Sequence, residues 1–523
     1  MLVNLKQIFR KRATGLSIMI SELLITDRDS AKLLYPAAIL SACLLIAAFP
    51  PFELGYIAWV ALIPFIYCLL KTDPRRSFKA GMLFGAIFHL YVNYYLTNVL
   101  FSYLSLPLAL AAMVLLVFYL SLYSGLFALS VNLVNRLGRP WFTALAIPTL
   151  WIMIEYMRSL TFLAYNVGYL GYTQWQYPGL LNLVSVYGYW GMPFLMVLFQ
   201  VIILLIPGRV LKNTALASII IIFTILMTTG LLMPFTQPLQ NDEEPLQVSL
   251  IQGNTSPEQV LAGSQAIMEL YLNLTSQAAH KETDLVVWPE TVATIDFTSG
   301  RSHPADLVKT ADELGVNILY GARTRIDGIS YNSIVYYSQD TAGIPLYHKI
   351  RLVPFVEFFP AESLLNRLLQ LELLLGSLTP GEELTMFEIK NKPLAGVICF
   401  ESYFGDHTRL FAAKGAQHLF VLTNDAWFGR SIGLEQHAQA AAIRAAEMGI
   451  GVTQVANSGI TISFDYRGRE LFRTGKAETE TVNFTLDTTY RNTIYTRAGD
   501  FFPAFWALFL LAAIPVLLKR RVT

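Results

Sequence analysis

The chain alternates between long apolar runs and one long polar block. Mostly apolar stretches fall at roughly 33–50, 54–70, 78–97, 106–134, 141–157, 181–207 and 213–234, and an eighth, 501–518, lies near the end. Each approaches the about 20 residues that a helix needs to cross the hydrocarbon of a bilayer. Between 245 and 490 the pattern changes to short alternating or buried runs punctuated by turn residues. There 246–251 reads as a strand ending at Gln252-Gly253-Asn254, and about 258–280 has helical period. A short apolar strand, 284–288, ends at Pro289-Glu290, and a helix near 304–314 leads to strands at 316–324 and 333–338. A buried strand at 395–398 ends at Cys399, another at 418–422 ends at Thr423-Asn424-Asp425, and a long helix is expected over 433–449. Strands alternating with helices predict a layered α/β domain.

Composition and charge sharpen this division. The apolar fraction is 54 % and the charged fraction 14 %, against soluble averages of roughly 45–50 % and about 25 %. Lys6, Arg10, Lys11 and Arg12 precede the first run, and Lys71, Arg75, Arg76 and Lys79 join the second to the third. Arg136 and Arg139, then Arg209 and Lys212, then Lys519, Arg520 and Arg521 mark the later alternate connections. The connections near 51–53, 98–105 and 158–180 together hold only Arg158. Because positive loops stay cytoplasmic, eight transmembrane helices with both termini cytoplasmic are expected. The α/β domain then faces the periplasm or exterior. The expected divisions are 1–240 with seven helices, 241–495 for the extracytoplasmic domain, and 496–523 for the eighth helix and tail. The first run begins too late, and Phe49-Pro50-Pro51 is too bulky, for a cleaved signal peptide. The segment 13–26 is too short to span and suits the cytoplasmic interface. The 158–180 connection carries Tyr165, Tyr169, Tyr172, Trp175 and Tyr177 beside Asn166, Gly168, Gly171 and Gln174. It reads either as a headgroup-level aromatic belt or as a re-entrant lining for a lipid site.

A net charge of +1 without a basic stripe argues against nucleic-acid binding. Of the three cysteines, Cys43 and Cys68 sit in apolar runs and Cys399 stands alone in the polar block. A disulfide framework or cysteine zinc site is therefore not expected. Cys399 is instead a candidate nucleophile, whose thiol needs a base or a nearby cation to form thiolate at neutral pH. Glu290 could take that proton and return it to a leaving group. Lys349 could hold the thiolate and then the tetrahedral oxyanion, with the Phe400 amide as second donor. Glu357 and Glu401 are candidates for orienting Lys349 or shaping the pocket. Trp288, Asn424, Trp427 and Phe428 are candidates for substrate contact or a lid. Each has a bland alternative: a strand-end cysteine as a small buried hydrophobe, the charged groups as surface or salt-bridge residues, Trp427 and Phe428 as packing on a sheet edge.

The residues around these positions carry a resemblance. Val287-Trp288-Pro289-Glu290, Tyr347-His348-Lys349 with Leu352-Val353-Pro354-Phe355, and Val397-Ile398-Cys399-Phe400-Glu401 resemble, in order, the Glu, Lys and Cys motifs of the nitrilase superfamily. Thr423-Asn424-Asp425-Ala426-Trp427-Phe428-Gly429, Gln436-His437, Arg444 and Glu447 are similar to its membrane-bound branch, the apolipoprotein N-acyltransferases. So are Gly171-Tyr172-Thr173-Gln174, Tyr187-Gly188-Tyr189-Trp190-Gly191 and Tyr495-Thr496-Arg497-Ala498-Gly499-Asp500. The resemblance implies a nitrilase-like αββα sandwich in a bacterial inner membrane protein. It implies Glu290 as general base, Lys349 as oxyanion stabiliser and Cys399 as acyl carrier. A phospholipid, typically phosphatidylethanolamine, is the implied acyl donor, and the implied acceptor is the α-amino group of a diacylglyceryl-cysteine on an apolipoprotein. No cofactor or metal is expected, and a monomer is. Three departures concern the pocket: Val356 where the family commonly has Gly, Phe400 where it often has Tyr, and Val260 and Leu261 where it often has an aromatic.

Other readings remain at this stage. A membrane-tethered amidase would use the same triad but would not need eight spans. A non-catalytic lipid-binding scaffold would not need Cys399. A transporter is the weakest fit, since no inverted repeat is evident and Glu155 is nearly alone as an intramembrane charge.

Overall fold

The computed structural model describes residues 27–522 apart from 162, 207–212, 241–243, 257–258, 260–264, 299, 301, 342 and 359–377. The 13–26 segment, Val260 and Leu261 lie outside the described residues.

Most of the apolar runs become helices: Asp27–Ala47, Pro74–Asn93, Leu106–Asn135, Pro140–Ser159, Asn213–Leu232 and Phe501–Val522. Pro74–Asn93 starts where its composition says it should. Asp73 accepts the Arg76 amide at 3.0 Å as N-cap, and Pro74 occupies the first helical position. It packs tightly on Leu106–Asn135 because small residues meet there, Gly81 and Gly85 against Ser121, Ser124 and Gly125. Among the described residues, two helices are long and apolar enough to cross a membrane, and a bent pair would make a third.

Two of the expected spans differ. The 54–70 run is not one helix but a 3-10 turn, Gly55–Trp59, followed by the short helix Ile63–Leu69. Side chains from elsewhere satisfy the backbone groups this leaves open. Gln174 donates to the Gly55 carbonyl at 2.8 Å, and Gln200 Oε1 accepts the Leu62 amide at 2.7 Å. Asn132 donates to the carbonyls of Leu69 and Thr72 at 3.0 and 2.7 Å. Buried partners of this kind make irregular backbone tolerable at such a place. The 181–207 run is likewise broken, into Pro178–Tyr187 and Gly191–Leu205 at 110°. Gly188 makes the bend at φ 66°, and any Cβ there would run into the Tyr495 ring at 2.5 Å.

The 158–180 connection is packed in protein rather than spread as a belt. Tyr169, Tyr172, Trp175, Asn166 and Gln174 are all buried, with a 3-10 turn at Leu170–Gln174.

The polar block forms two facing sheets. One orders Glu480–Leu486, Leu246–Gln252, Leu285–Val287, Asn317–Ile326, Ile329–Tyr337 and Leu346–His348, with Ala293–Asp296 paired to Asn317–Ile326. The other orders Glu470–Arg473, Ile462–Phe464, Gly451–Ala456, His418–Thr423, Lys392–Ile398 and Met386–Ile389. The central three strands of each, from Leu246, Leu285 and Asn317 and from Lys392, His418 and Gly451, run parallel. Alternation along the strands builds the layers. Val248, Leu250, Val287 and Leu319 face Val397, Leu419 and Val421 in one shared core. Ile251, Val286, Ile318 and Val335 turn the other way, onto helices Gln265–Ala278 and Ala305–Leu314. Gly405–Ala413 and Gly433–Met448 cover the second sheet.

Helix Gly433–Met448 is buried on every side. Ala438, Ala441, Ala442 and Ala445 join the sheet core, while Ala440, Ile443 and Ala446 join the core built by the helical half.

Candidate active site

Parallel strands deliver the candidate residues at their carboxyl ends, where open sheets place ligands. Leu285–Val287 ends three residues before Glu290, Lys392–Ile398 ends at Cys399, and His418–Thr423 ends at Asn424. Gly321, on the neighbouring strand, lets the Pro289-Glu290 backbone approach. A Cβ there would lie 2.4 Å from the Pro289 carbonyl oxygen and 2.5 Å from Glu290 Cα. Lys349 follows the edge strand Leu346–His348, and its amide donates to the Asn332 carbonyl at 2.8 Å. Backbone strain gathers here too. Cys399 has φ 51°, Thr291 φ 59° and Phe355 φ 63°, all in the left-handed region that L side chains avoid.

The charges form a buried cluster. Lys349, only 1 % exposed, bonds Glu357 Oε1 at 2.9 Å and lies 3.8 Å from Glu290 Oε1. Asn332 Nδ2 donates to both carboxylates, at 2.8 Å to Glu290 and 3.0 Å to Glu357. The second oxygen of Glu290 accepts the Asn424 amide at 2.9 Å, and that of Glu357 the Val353 amide at 2.8 Å. Burial pushes Glu290 above the usual carboxylate range, Lys349 partly counters it, and the like charge of Glu357 adds to it. Burial works against the charge on Lys349, yet Glu357 and Glu290 outweigh it and raise the ammonium. The Cys399 thiol is pushed well up, first by burial and then by Glu290, while Lys349 draws it down. A thiol so placed is protonated at rest. Such a thiol ionises only with a base to take its proton and a cation to receive the charge, and Glu290 and Lys349 are the groups of those kinds that act on it.

The remaining candidates sort themselves by contact. Glu357 touches Lys349, as orientation would require. Glu401 does not act on Lys349 through a direct bond. Its two oxygens accept from the Tyr347 hydroxyl and the amides of Ile350, Arg351 and Ile398, at 2.8–3.0 Å, tying the loop after Lys349 to the turn that carries Cys399. Phe400 lies among Tyr165, Tyr403 and Phe404, with ring centroids 6.3, 5.7 and 5.2 Å away. Asn424 is buried, bonded to Glu290 and to Asn457 Nδ2 at 3.0 Å. Trp288, expected as a substrate contact or lid, is instead fully buried between Tyr271 and Tyr320. Its indole donates to Thr275 at 2.9 Å. Phe428 rests edge-on against Tyr95 of the helical half at 5.0 Å, and Trp427 beside it is half-buried. Val356, where the family commonly has Gly, sits in a tight turn closed by its amide on the Val353 carbonyl at 3.3 Å. The positive φ of that turn falls on Phe355 instead.

Sequence reasoning missed Asn332, an inward polar residue on a strand whose neighbours give no motif. It also gave Asp425 and His437 no role. Their donors and the Cys399 sulfur lie within 4.8 Å of one another, the one such His/Cys/carboxylate group among the described residues. The imidazole and carboxylate bond each other at 2.9 Å, which accounts for the clustering without an ion.

Comparison with known proteins agrees with this architecture. Residues 247–495 match the family model for carbon-nitrogen hydrolases, and 41–202 match that for the apolipoprotein N-acyltransferase N-terminal domain. The sandwich is thus a carbon-nitrogen hydrolase domain, joined to a helical half of a defined acyltransferase type. Nit3 of Saccharomyces cerevisiae, from branch 10 of the nitrilase superfamily, aligns over 47 % of this chain and 90 % of its own at 20 % identity, with a TM-score of 0.35. The apolipoprotein N-acyltransferase of Geobacter metallireducens is 29 % identical over 93 % of this chain and 95 % of its own. That of Azotobacter vinelandii is 30 % identical over 83 % of this chain and 85 % of its own. The chain belongs to the apolipoprotein N-acyltransferase family. It is an acyltransferase enzyme of that family.

Proposed function

We propose that Cys399 carries the acyl group as a thioester between a phospholipid donor and the α-amino group of a diacylglyceryl-cysteine on an apolipoprotein. Glu290 takes the thiol proton, and the thiolate attacks the ester carbonyl of the donor, phosphatidylethanolamine by the family resemblance. The carbon–sulfur bond forms as the carbonyl becomes an oxyanion, held by Lys349 and the Phe400 amide. Collapse breaks the ester carbon–oxygen bond, Glu290 returns the proton to the leaving oxygen, and lysophospholipid departs. The acceptor amine then attacks the thioester, Glu290 takes its surplus proton, and the thiol is regenerated. Glu357 keeps Lys349 in place, and Asn424 and Asn332 hold Glu290 toward the site. The observation that carries this reading is the buried Glu290–Lys349–Glu357 cluster, closed at 3.8 and 2.9 Å, within electrostatic reach of the one cysteine at a strand end.

We further propose that eight segments cross the bacterial inner membrane, with both termini cytoplasmic and residues 241–495 facing the periplasm or exterior. The regular alternation of Lys and Arg supports this orientation. So do outward apolar side chains such as Val114, Leu115, Ile221, Ile225, Phe505 and Leu511, 55–69 % exposed on helices where lipid would cover them. Trp427 and Phe428, at the seam with the helical half, fit a lid over the site, and the enzyme acts as a monomer.

Intact mass after incubation with phosphatidylethanolamine tests the acyl-carrier step. The expected result is one added fatty acyl mass that hydroxylamine removes and that Cys399→Ser does not acquire as a labile thioester. A diacylglyceryl-cysteine peptide with a free amine should discharge it, and the same peptide N-acetylated should not. A hydroxylamine-labile adduct formed equally on Cys399→Ser, or one that the acetylated peptide discharges equally well, would sink the proposal.

A further inference from the structure

Beside Cys399 lies a polar pair that the reaction as described does not use. His437 is 1 % exposed in the middle of the buried helix Gly433–Met448. Its Nδ1 lies 2.9 Å from Asp425 Oδ1, and its Nε2 lies 3.2 Å from the Cys399 carbonyl oxygen and 3.1 Å from Ser402 Oγ. Thr423 Oγ1 donates to the same Asp425 oxygen at 2.8 Å. The Tyr403 ring stacks on the imidazole at 5.5 Å and 8°.

The protons of His437 follow from its partners. A peptide carbonyl can only accept, and so can an ionised carboxylate. To bond Cys399 through Nε2 and Asp425 through Nδ1, the imidazole must carry a proton on each nitrogen. Burial opposes that charge, but Asp425 more than offsets it, so His437 titrates above its ordinary range.

The bond to the Cys399 carbonyl has a consequence on the far side of the same peptide. The planar trans unit that contains this carbonyl also contains the Phe400 N–H, and the two point in opposite directions. Fixing the carbonyl on His437 therefore fixes the N–H away from it. A charged donor on the carbonyl polarises the amide and makes its N–H a stronger donor. The same bond helps hold Cys399 at its left-handed φ of 51°.

We infer that His437, paired with Asp425, is a positioning residue that fixes and polarises the Cys399–Phe400 peptide so that its N–H receives the oxyanion of the acyl-transfer step. This rests on the reading of Cys399 as acyl carrier.

The test separates oxyanion support from thiol reactivity. Two rates are measured on the full-length protein and its His437→Gln, His437→Leu and Asp425→Asn variants. One is single-turnover acylation of Cys399 by phosphatidylethanolamine, read by mass. The other is alkylation of Cys399 by iodoacetamide, which consumes thiolate but builds no tetrahedral oxyanion. Removing a whole oxyanion donor costs about 100- to 1,000-fold, so weakening one should cost about 10- to 100-fold in acylation. His437→Gln, which can still donate to the Cys399 carbonyl without charge, should lose less than His437→Leu, and Asp425→Asn should fall with His437→Gln. Alkylation should change less than about threefold throughout, which also reports that the site has folded. Equal losses in both rates, or no loss in acylation, would overturn the inference. A wild-type protein that forms no adduct would defeat the acyl-carrier reading itself, and this one with it.

Discussion

Replacing Glu357 by Gln tests the electrostatics of the site through one pair of distances. Lys349 Nζ stands 2.9 Å from Glu357 and 3.8 Å from Glu290. The Gln carbonyl can still accept from Asn332, while its NH2 group faces the Val353 amide, so one negative charge and that one bond are lost. Two effects then act on Glu290 in the same direction. Glu357 no longer raises it as a like charge, and Lys349, released, can close on it. At an effective dielectric of about 20, closing that pair from 3.8 to 2.9 Å gains about 1.4 kcal/mol, or about one pKa unit. In the wild type, burial holds Glu290 high, so the rate of Cys399 acylation should fall as pH drops through a raised carboxyl pKa. Glu290 must be ionised to act, so lowering its pKa moves that acid limb to lower pH, by about one unit. The plateau above it should drop about tenfold, because the base is weaker and Lys349 is less well held. The assay is single-turnover acylation followed by mass between pH 4.5 and 8.5, on wild type and Glu357→Gln side by side. An acid limb that stays put or moves upward would refute the reasoning, because it would mean that Lys349 does not answer to Glu290.

Two further substitutions separate packing from chemistry. Trp288→Phe should leave the Thr275 hydroxyl without its buried donor and shrink the core between Tyr271 and Tyr320, costing about 1–3 kcal/mol in thermal or denaturant unfolding. Its acylation rate should stay within about threefold of wild type; a tenfold loss of rate at unchanged stability would put Trp288 back in contact with substrate. Glu401→Gln should place an N–H group against donors, since both oxygens of Glu401 are occupied by the Tyr347 hydroxyl and three amides. The expected cost is about 2–3 kcal/mol, with slower acylation and faster proteolytic cleavage around 350–358. A variant as stable and as protease-resistant as wild type would show that the loop does not depend on this carboxylate.

How much of this was legible in the sequence depended on whether a signal was local. The parallel strands ending at Val287, Ile398 and Thr423 are short apolar runs stopped by polar residues, so both their place and the reactive groups after them could be read along the chain. The strands at 470–473 and 480–486 could not, because their residues are mostly half-exposed or exposed and pairing defines them, and the buried strand at 462–464 is only three residues long. Helix length was misjudged where apolar composition hid a break. The 54–70 run has the hydropathy of a span, but Gln174 and Gln200, more than a hundred residues away, accept the cost of leaving its backbone irregular. Trp288 was misread for the opposite reason. It lies two residues before Glu290, but its side chain packs with Val286 and Tyr320 on the helix-covered face of the sheet, where Thr275 accepts its indole N–H. Asn332 and the Asp425–His437 pair matter only through side-chain contacts between separate elements, and no spacing along the chain announces them.

The helix that carries His437 also explains why the two halves belong to one enzyme. Arg444 and Glu447, on the face turned away from the sheet, pair at 2.8 Å, and Glu447 also accepts the amide of Tyr189 in the bend of the helical half. Arg444 donates at 3.3 Å to the Tyr403 carbonyl, and Asn166, from the aromatic connection, donates at 3.2 Å to the same oxygen. Tyr403 closes the 3-10 turn that begins at Cys399. The turn bearing Cys399 is thus held from the sheet side by Glu401 and from the helical half by Asn166. A carbon-nitrogen hydrolase domain without that half would expose Ala440, Ile443 and Ala446 to water and lose the Asn166 and Tyr189 partners of a buried charged pair and its neighbouring carbonyl. A single anchoring helix, which is all a tethered amidase needs, would supply none of these contacts. The helical half therefore helps to set the geometry of the turn at Cys399, and the two halves are coupled in the fold itself.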